Sequence, residues 1–384
     1  MDPKSSEEKM LQSISKELGV PNLLEILSTT PMRRLKPILI HAFKNRAKAR
    51  KPTELLREYE RRQEFLGIGP IAQDKLLQNA LIFHETVRPV FESVQTSPIA
   101  PLGLNSVLSS VSQNNVLSTI NDSEVVGAFT NQLALECSLR RKQKTSKGDC
   151  SAVHLSTAGR VLRLQPFDKD KGYMQHFYIF ALCSGGLQTS SDERFATATM
   201  RMHIKMLLDV ISALHKEGYK SRNITVKVSD IRFLEQLIAA QKLPREEIIR
   251  NSLNDEFDLF EKYRVPFPKE VECADDLCSS IFEGIGIANH KEYYTNTEHR
   301  LMAPLREMYP QVRFCFDFNR KAGLGYYLHL CFHIFASNQK GDMIQLSDGG
   351  AMDWAAKLLN NRKEVMVASV IGGELLQRLF CSQP

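Results

Sequence analysis

The stretch from Val312 to Phe380 constrains the fold most. Val312-Arg-Phe-Cys-Phe-Asp-Phe318 alternates and predicts a strand. The polar loop Asn319-Arg-Lys-Ala-Gly323 follows, and Leu324 to Phe335 predicts a second strand. Asn338-Gln-Lys-Gly-Asp342 has the composition of a hairpin turn. Gln345–Ser347 returns to the sheet and is expected to break at Gly349-Gly350. Glu364–Ile371 predicts a further strand, closed by Gly372-Gly373, and Glu374–Phe380 has helical spacing. Neighbouring strands with glycines at their rims describe an antiparallel sheet whose open face can hold a ligand, because glycine lets a backbone or ligand approach closely.

Upstream, Ala152–Leu164 and His176–Cys183 predict a hairpin joined through Asp168–Tyr173. Val125 to Arg141 reads as an amphipathic segment, and Asp192–Glu217 as a long helix with a single apolar face. Asn223–Val228 reads as a strand, followed by Ile231–Gln241, Pro244–Ser252, Asp255–Tyr263, Glu270–Phe282 and His290–Met308 as helices. Residues 1–80 read as a helical segment ahead of a core spanning 81–384. Its run Arg33–Lys51 is dense in base but holds Phe43 as its one Phe, Tyr or Trp ring. An anion or RNA contact and a plain solvated helix face both fit that pattern.

The 384 residues suffice for a large core, and 43% hydrophobic with 24% charged residues is ordinary for a globular chain. The net charge of +6 permits an anionic ligand but does not argue for a nucleic-acid groove. The eight cysteines show no paired CxxC spacing, no apolar run reaches membrane-spanning length and the polar N-terminus resembles no signal peptide. A cytoplasmic protein without a membrane anchor is the expectation. His329, Cys331 and His333 alternate along one expected strand, but a fourth ligand is not visible, so no metal centre is assigned to them.

The order of these pieces resembles the catalytic core of the histidyl-tRNA synthetase family, a class II aminoacyl-tRNA synthetase fold. Gly323-Leu-Gly-Tyr-Tyr327 is similar to the family's Arg-Gly-Leu-Asp-Tyr-Tyr. Gly349-Gly-Ala-Met-Asp353 is similar to Gly-Gly-Arg-Tyr-Asp, and Ile371-Gly-Gly-Glu-Leu-Leu376 to the third class II motif. Leu133-Ala-Leu-Glu-Cys-Ser138 resembles Leu-Arg-Pro-Glu-x-Thr, and Arg163-Leu-Gln165 with Gln175-His-Phe177 resembles the second motif. Phe91–Pro98 resembles the first motif loosely, and residues about 220–300 fall where the family carries an insertion.

The resemblance implies an α+β fold, an antiparallel sheet flanked by helices, and a homodimer. It implies ATP and Mg as cofactors and an amino acid or similar small acid as ligand. Arg163 would hold the ligand carboxylate and the ATP α-phosphate, and Glu136 with Ser138 its ammonium. Tyr326 or Tyr327 would read the side chain, only one of the two facing the cleft if both lie on a strand. His333 stands where the family has glutamate and would line the same pocket, while Gln165, Phe177 and Arg378 would contact the nucleotide. Arginines of the family are replaced by Ala134, Gln175, Ala322, Ala351 and Leu375, with Arg320, Lys321 and Arg378 near enough in sequence to substitute. Because losing one such donor typically costs about two to three orders of magnitude in rate, two expectations stand. One is an adenylate-forming ligase that charges no full tRNA and passes its product to another acceptor or carrier. The other is a non-catalytic paralogue that senses a ligand or serves as the subunit of a protein partner, as in the regulatory subunit of short-form ATP phosphoribosyltransferase.

Overall fold

A computed structural model describes residues 3–109, 111–165, 167, 173–188, 193–252, 254 and 256–381. The connection expected at Asp168–Tyr173 lies mostly outside them. The strands are β1 Glu92–Ser93, β2 Ile99–Pro101, β3 Ser118–Thr119, β4 Ser123–Val125, β5 Val153–Leu162, β6 His176–Leu187, β7 Arg222–Asp230, β8 Glu270–Val271, β9 Arg313–Asp317, β10 Leu330–Ser337, β11 Met343–Met352 and β12 Glu364–Ile371. Among the described residues nine strands form the main sheet, in the order β1-β5-β6-β12-β11-β10-β7-β9-β8, and β2-β4-β3 form a small second one. The fold is α+β, a sheet flanked by helices, as expected.

Four expectations need correction. The sheet is mixed: β1 runs parallel to β5, and β9 runs parallel to β7, which separates it from β10. The strand expected at Asn223–Val228 forms as β7, between β10 and β9, but Glu270–Phe282 is a short strand followed by helix Ser279–Gly284 rather than one helix. The strand expected from Leu324 begins only at Leu330, because Gly323 at φ +111° and Gly325 at φ +73° turn the chain. The amides of Tyr326 and Tyr327 both donate to Gly323 O at 3.0 Å. Finally, β11 does not break at its glycines. Gly349 pairs with Phe332 and Gly350 with Cys331, and a Cβ on Gly350 would lie 2.6 Å from the Tyr327 ring. Glycine is needed there for close packing, not for a turn.

Helix Arg194–Lys216 covers one face of the sheet with Met200, Ile204, Leu207, Ile211 and Leu214, all buried. Helix Phe129–Thr145 packs on β5 and β6, with Leu133, Ala134 and Cys137 in a second cluster that also holds Ile179, Tyr327, Met352, Trp354 and Ala368. The N-terminal helices Pro3–Glu17, Leu23–Thr29, Met32–Lys48 and Pro52–Arg61 add little to either cluster: within residues 7–66 only Ser15 and Leu35 are buried. Phe43 is 55% exposed, and the bases of the 33–51 run are exposed with it.

A buried polar chain ties the long helix to three adjacent strands. His154 Nδ1 on β5 meets Ser184 Oγ on β6 at 2.8 Å. Ser184 Oγ meets His203 Nε2 at 2.8 Å, and His203 Nδ1 meets Ser369 Oγ on β12 at 2.9 Å. Burial pushes the His203 imidazole down to about 3 and lowers His84, His154, His329 and His333 as well. The His203 ring stays neutral in the fold but takes a proton in the unfolded chain below roughly pH 6.5. The unfolded state then binds more protons, so stability is full above that pH and falls as pH drops toward 3. His203 alone is expected to remove about 1.4 kcal/mol per pH unit below 6.5. Urea unfolding followed from pH 7.5 to 5 checks this; a flat profile contradicts it.

Candidate functional site

A cavity of about 660 Å³ opens where the end of the β5–β6 hairpin, β11, β12 and the loop at 322–327 meet. Its wall is built from several independent segments. Arg163 follows the last residue of β5, and its amide donates to Gln175 O at 2.7 Å, so the hairpin fixes its position. Its Nε donates to Gly127 O at 2.8 Å, and its guanidinium lies 5.3 Å from the Phe177 ring centroid. Among the described residues its terminal nitrogens have no hydrogen-bond partner, so both remain available for a bidentate anion contact. Burial pushes the guanidinium down, while Tyr326 and Asp348 oppose that shift.

Helix Phe129–Thr145 points its N-terminal turn at the same space, where Gly127, Ala128, Thr130 and Asn131 line the wall. The positive end of a helix dipole supports an anion beside Arg163. This wall is braced from behind. Asn131 Nδ2 donates to Asn105 Oδ1 at 2.7 Å and to Ser109 Oγ at 2.9 Å. Asn105 in turn donates from its amide and its side chain to the buried Glu124 carboxylate, at 2.9 and 2.7 Å. Burial alone would raise Glu124, but donors from Gln113, Asn105 and Gly103 outweigh it and hold the carboxyl below its usual range.

The other pole of the cavity is acidic. Asp348 Oδ1 accepts from Arg320 Nη2 at 2.9 Å and from Tyr327 Oη at 2.8 Å, with His333 Nε2 at 3.5 Å. Burial would raise this carboxyl, but Arg320 and His333 outweigh it and hold it well below the usual carboxylate range. Glu374 also lines the cavity, its Oε2 contacting Arg160 Nη2 and the Tyr178 amide, each at 3.2 Å.

The expected site residues divide clearly. Arg163, Gln165, Phe177, Tyr326, Tyr327 and Arg378 all line this cavity. Both tyrosines reach it because they sit on a turn rather than a strand; burial pushes Tyr326 up to about 12. Arg378 also lies 5.7 Å from the Tyr173 ring centroid. His333 does not line the wall but backs Asp348. Glu136 and Ser138 are elsewhere. Glu136 bonds Arg140 Nε at 2.7 Å, and Arg140 reaches on to Glu92. Ser138 is buried with an unpartnered Oγ and does not line the cavity. From Thr130 to Glu136 is about 9 Å along the helix axis at 1.5 Å per residue, which carries the carboxylate out of reach. Thr130, Asn131 and Asp348 are lining residues that sequence reasoning missed. The hydroxyl-bearing Thr130 at a helix start was the available signal for the first.

Of the three substitute cations, Arg378 reaches the cavity and the other two do not. Arg320 is 2% exposed and turned onto Asp348 and Ala322 O, and Lys321 donates to Asn254 O and Phe257 O. Ala322 and Leu375, at two of the lost arginine positions, line the cavity themselves, so its lining cations among the described residues are Arg163 and Arg378. Both lining carboxylates, Asp348 and Glu374, already hold an arginine. A Mg²⁺ ion bound with ATP needs carboxylate oxygens, and Asp348 and Glu374, each with one oxygen turned to an arginine, are the lining groups that would supply them. Among the described residues no group of three or more His, Cys, Asp or Glu could hold a metal ion. No helix among them is long and apolar enough to cross a membrane.

Neither a protein-family model nor a curated protein sequence matches the chain. Solved structures do. One is described as an ATP phosphoribosyltransferase regulatory subunit/histidyl-tRNA synthetase from Bacillus halodurans, at 12% identity over 80% of each chain, TM-score 0.55. A histidine–tRNA ligase subunit from Alicyclobacillus acidocaldarius matches at 13% identity, covering 80% of this chain and 93% of that one, TM-score 0.56. A histidyl-tRNA synthetase from Nostoc matches at 14% identity over 80% and 72%, TM-score 0.55. At such identities the likeness is one of fold: the chain has the class II synthetase-like architecture.

Proposed function

We propose that the chain binds a small amino-acid-like acid in this cavity and does not activate it. The observation that carries this reading is the contrast between Arg163 and its surroundings. Arg163 keeps its terminal nitrogens open beside a helix N-terminus, while Ala322 and Leu375 stand where the resemblance calls for further arginines and leave Arg378 as the one other lining cation among the described residues. One arginine with a helix dipole suits a carboxylate. Adenylate formation builds charge on a phosphate that several positioned cations must stabilise. Binding without chemistry fits a ligand-sensing subunit. A homodimeric core, a protein partner that reads the bound state and a cytoplasmic setting belong to the same proposal. The regulatory-subunit description of one structural neighbour supports it by analogy of fold.

A thermal-shift screen of the twenty common amino acids, with and without ATP and magnesium, tests it. At least one amino acid is expected to raise the melting temperature, and ATP with magnesium is expected to add nothing to that rise. A rise that requires ATP would favour the ligase reading, for which the retained grouping of Arg163, Gln165 and Phe177 speaks.

A further inference from the structure

We propose that Asp348 is the group that recognises a cation in the cavity, so that the ligand carries a positively charged nitrogen as well as the acid held by Arg163. This rests on the reading above that the cavity binds an acid through Arg163. Asp348 itself belongs to none of the motifs that carry the resemblance, although it adjoins Gly349 and accepts from Tyr327, which do.

Asp348 Oδ1 is saturated by Arg320, Tyr327 and His333. Its Oδ2 has no hydrogen-bond partner among the described residues. The side chain is 33% exposed, and the residue lines the cavity. An ionised carboxylate with one oxygen locked and the other bare is a directed acceptor. Its partners are fixed too: Arg320 is 2% exposed and lies 5.1 Å from the Tyr327 ring centroid, and Tyr327 packs against Gly350. The oxygen that remains is thus aimed by a rigid frame rather than by a flexible side chain. Leaving such a group unpaired in an enclosed space is unfavourable, and a primary ammonium satisfies it best. Arg163 is close enough to Asp348 to feel its charge. A molecule bearing both an acid and an ammonium can therefore span the two. Glu136, the residue expected in this role, is tied to Arg140 outside the cavity.

Calorimetry on the full chain tests this with paired probes: each of the twenty common amino acids, and the same acid with hydrogen in place of its ammonium. The unaltered chain is expected to bind its preferred amino acid at least tenfold more tightly than the deaminated acid. Asp348→Asn is expected to bring the two within about twofold. Should that variant fail to fold because Arg320 loses its counter-charge, the comparison on the unaltered chain still decides. Equal affinity for both members of a pair, with binding lost in Arg163→Ala, overturns the role of Asp348 and leaves the acid-binding reading standing. Binding unchanged in Arg163→Ala, or no binding of any probe, overturns the reading on which both rest.

Discussion

Arg163→Ala is expected to weaken binding of every ligand the cavity takes by roughly 30- to several thousand-fold. Removing one partner of a desolvated, hydrogen-bonded charge contact costs about 2–5 kcal/mol, and each 1.4 kcal/mol is tenfold in affinity. Arg163→Lys should lose most of the same affinity, because a lysine ammonium cannot copy the two-pronged contact or stack on the Phe177 ring as a guanidinium does. The fold should survive both changes. Arg163 makes one side-chain hydrogen bond among the described residues, to Gly127 O, and that carbonyl can turn to water in a cavity of this size. Calorimetry with the amino acid that stabilises the chain most, alongside thermal unfolding of each variant without ligand, separates lost binding from lost structure.

The second large effect concerns stability. Arg141 on helix Phe129–Thr145 and Glu364 at the start of β12 form an ion pair with side chains 0% and 1% exposed. The contact is two-pronged, Nε to Oε2 at 3.1 Å and Nη2 to Oε1 at 2.8 Å, and Nη1 donates to Ser151 O at 2.5 Å. Glu364 raises the guanidinium above its ordinary value, with burial opposing. Breaking a buried pair by removing one partner strands the other charge, at about 3–5 kcal/mol. Arg141→Met and Glu364→Leu should each cost that much, whereas the double replacement should recover a large part of it, since well-packed apolar groups replace such pairs at little cost. Urea unfolding of the three variants is the check. Additive losses would mean that the pair is not the reason for either effect.

Where local periodicity and packing agreed, the fold was legible in the sequence. Glu364–Ile371 and the long helix Arg194–Lys216 lie where their patterns put them, and the hairpin around Arg163 forms as its alternation predicts. Misreadings arose where one residue type serves two geometries. Gly349 and Gly350 look like a rim break but sit inside a continuous strand, admitting the rings of Phe332 and Tyr327. Asp348 was passed over as part of that supposed break. Gly323 and Gly325 sit inside an apolar run that reads as strand, and their positive φ turns it. Glu136 shows a limit of matching by residue type: the carboxylate is of the right kind, but its helix begins at Phe129, so the turn that meets the cavity holds Thr130 and Asn131 instead. Three-dimensional pairings such as Arg320 with Asp348, 28 positions apart, leave no local trace at all.

The central claim is that this class II synthetase-like cavity binds an amino-acid-like acid without activating it. Exchange of labelled pyrophosphate into ATP, measured with each of the twenty amino acids and with saturating magnesium, tests that most directly. The account predicts that the amino acid giving the largest thermal stabilisation supports no exchange above the amino-acid-free blank. Exchange that depends on that amino acid and disappears in Arg163→Ala would contradict it and establish adenylate formation at Arg163.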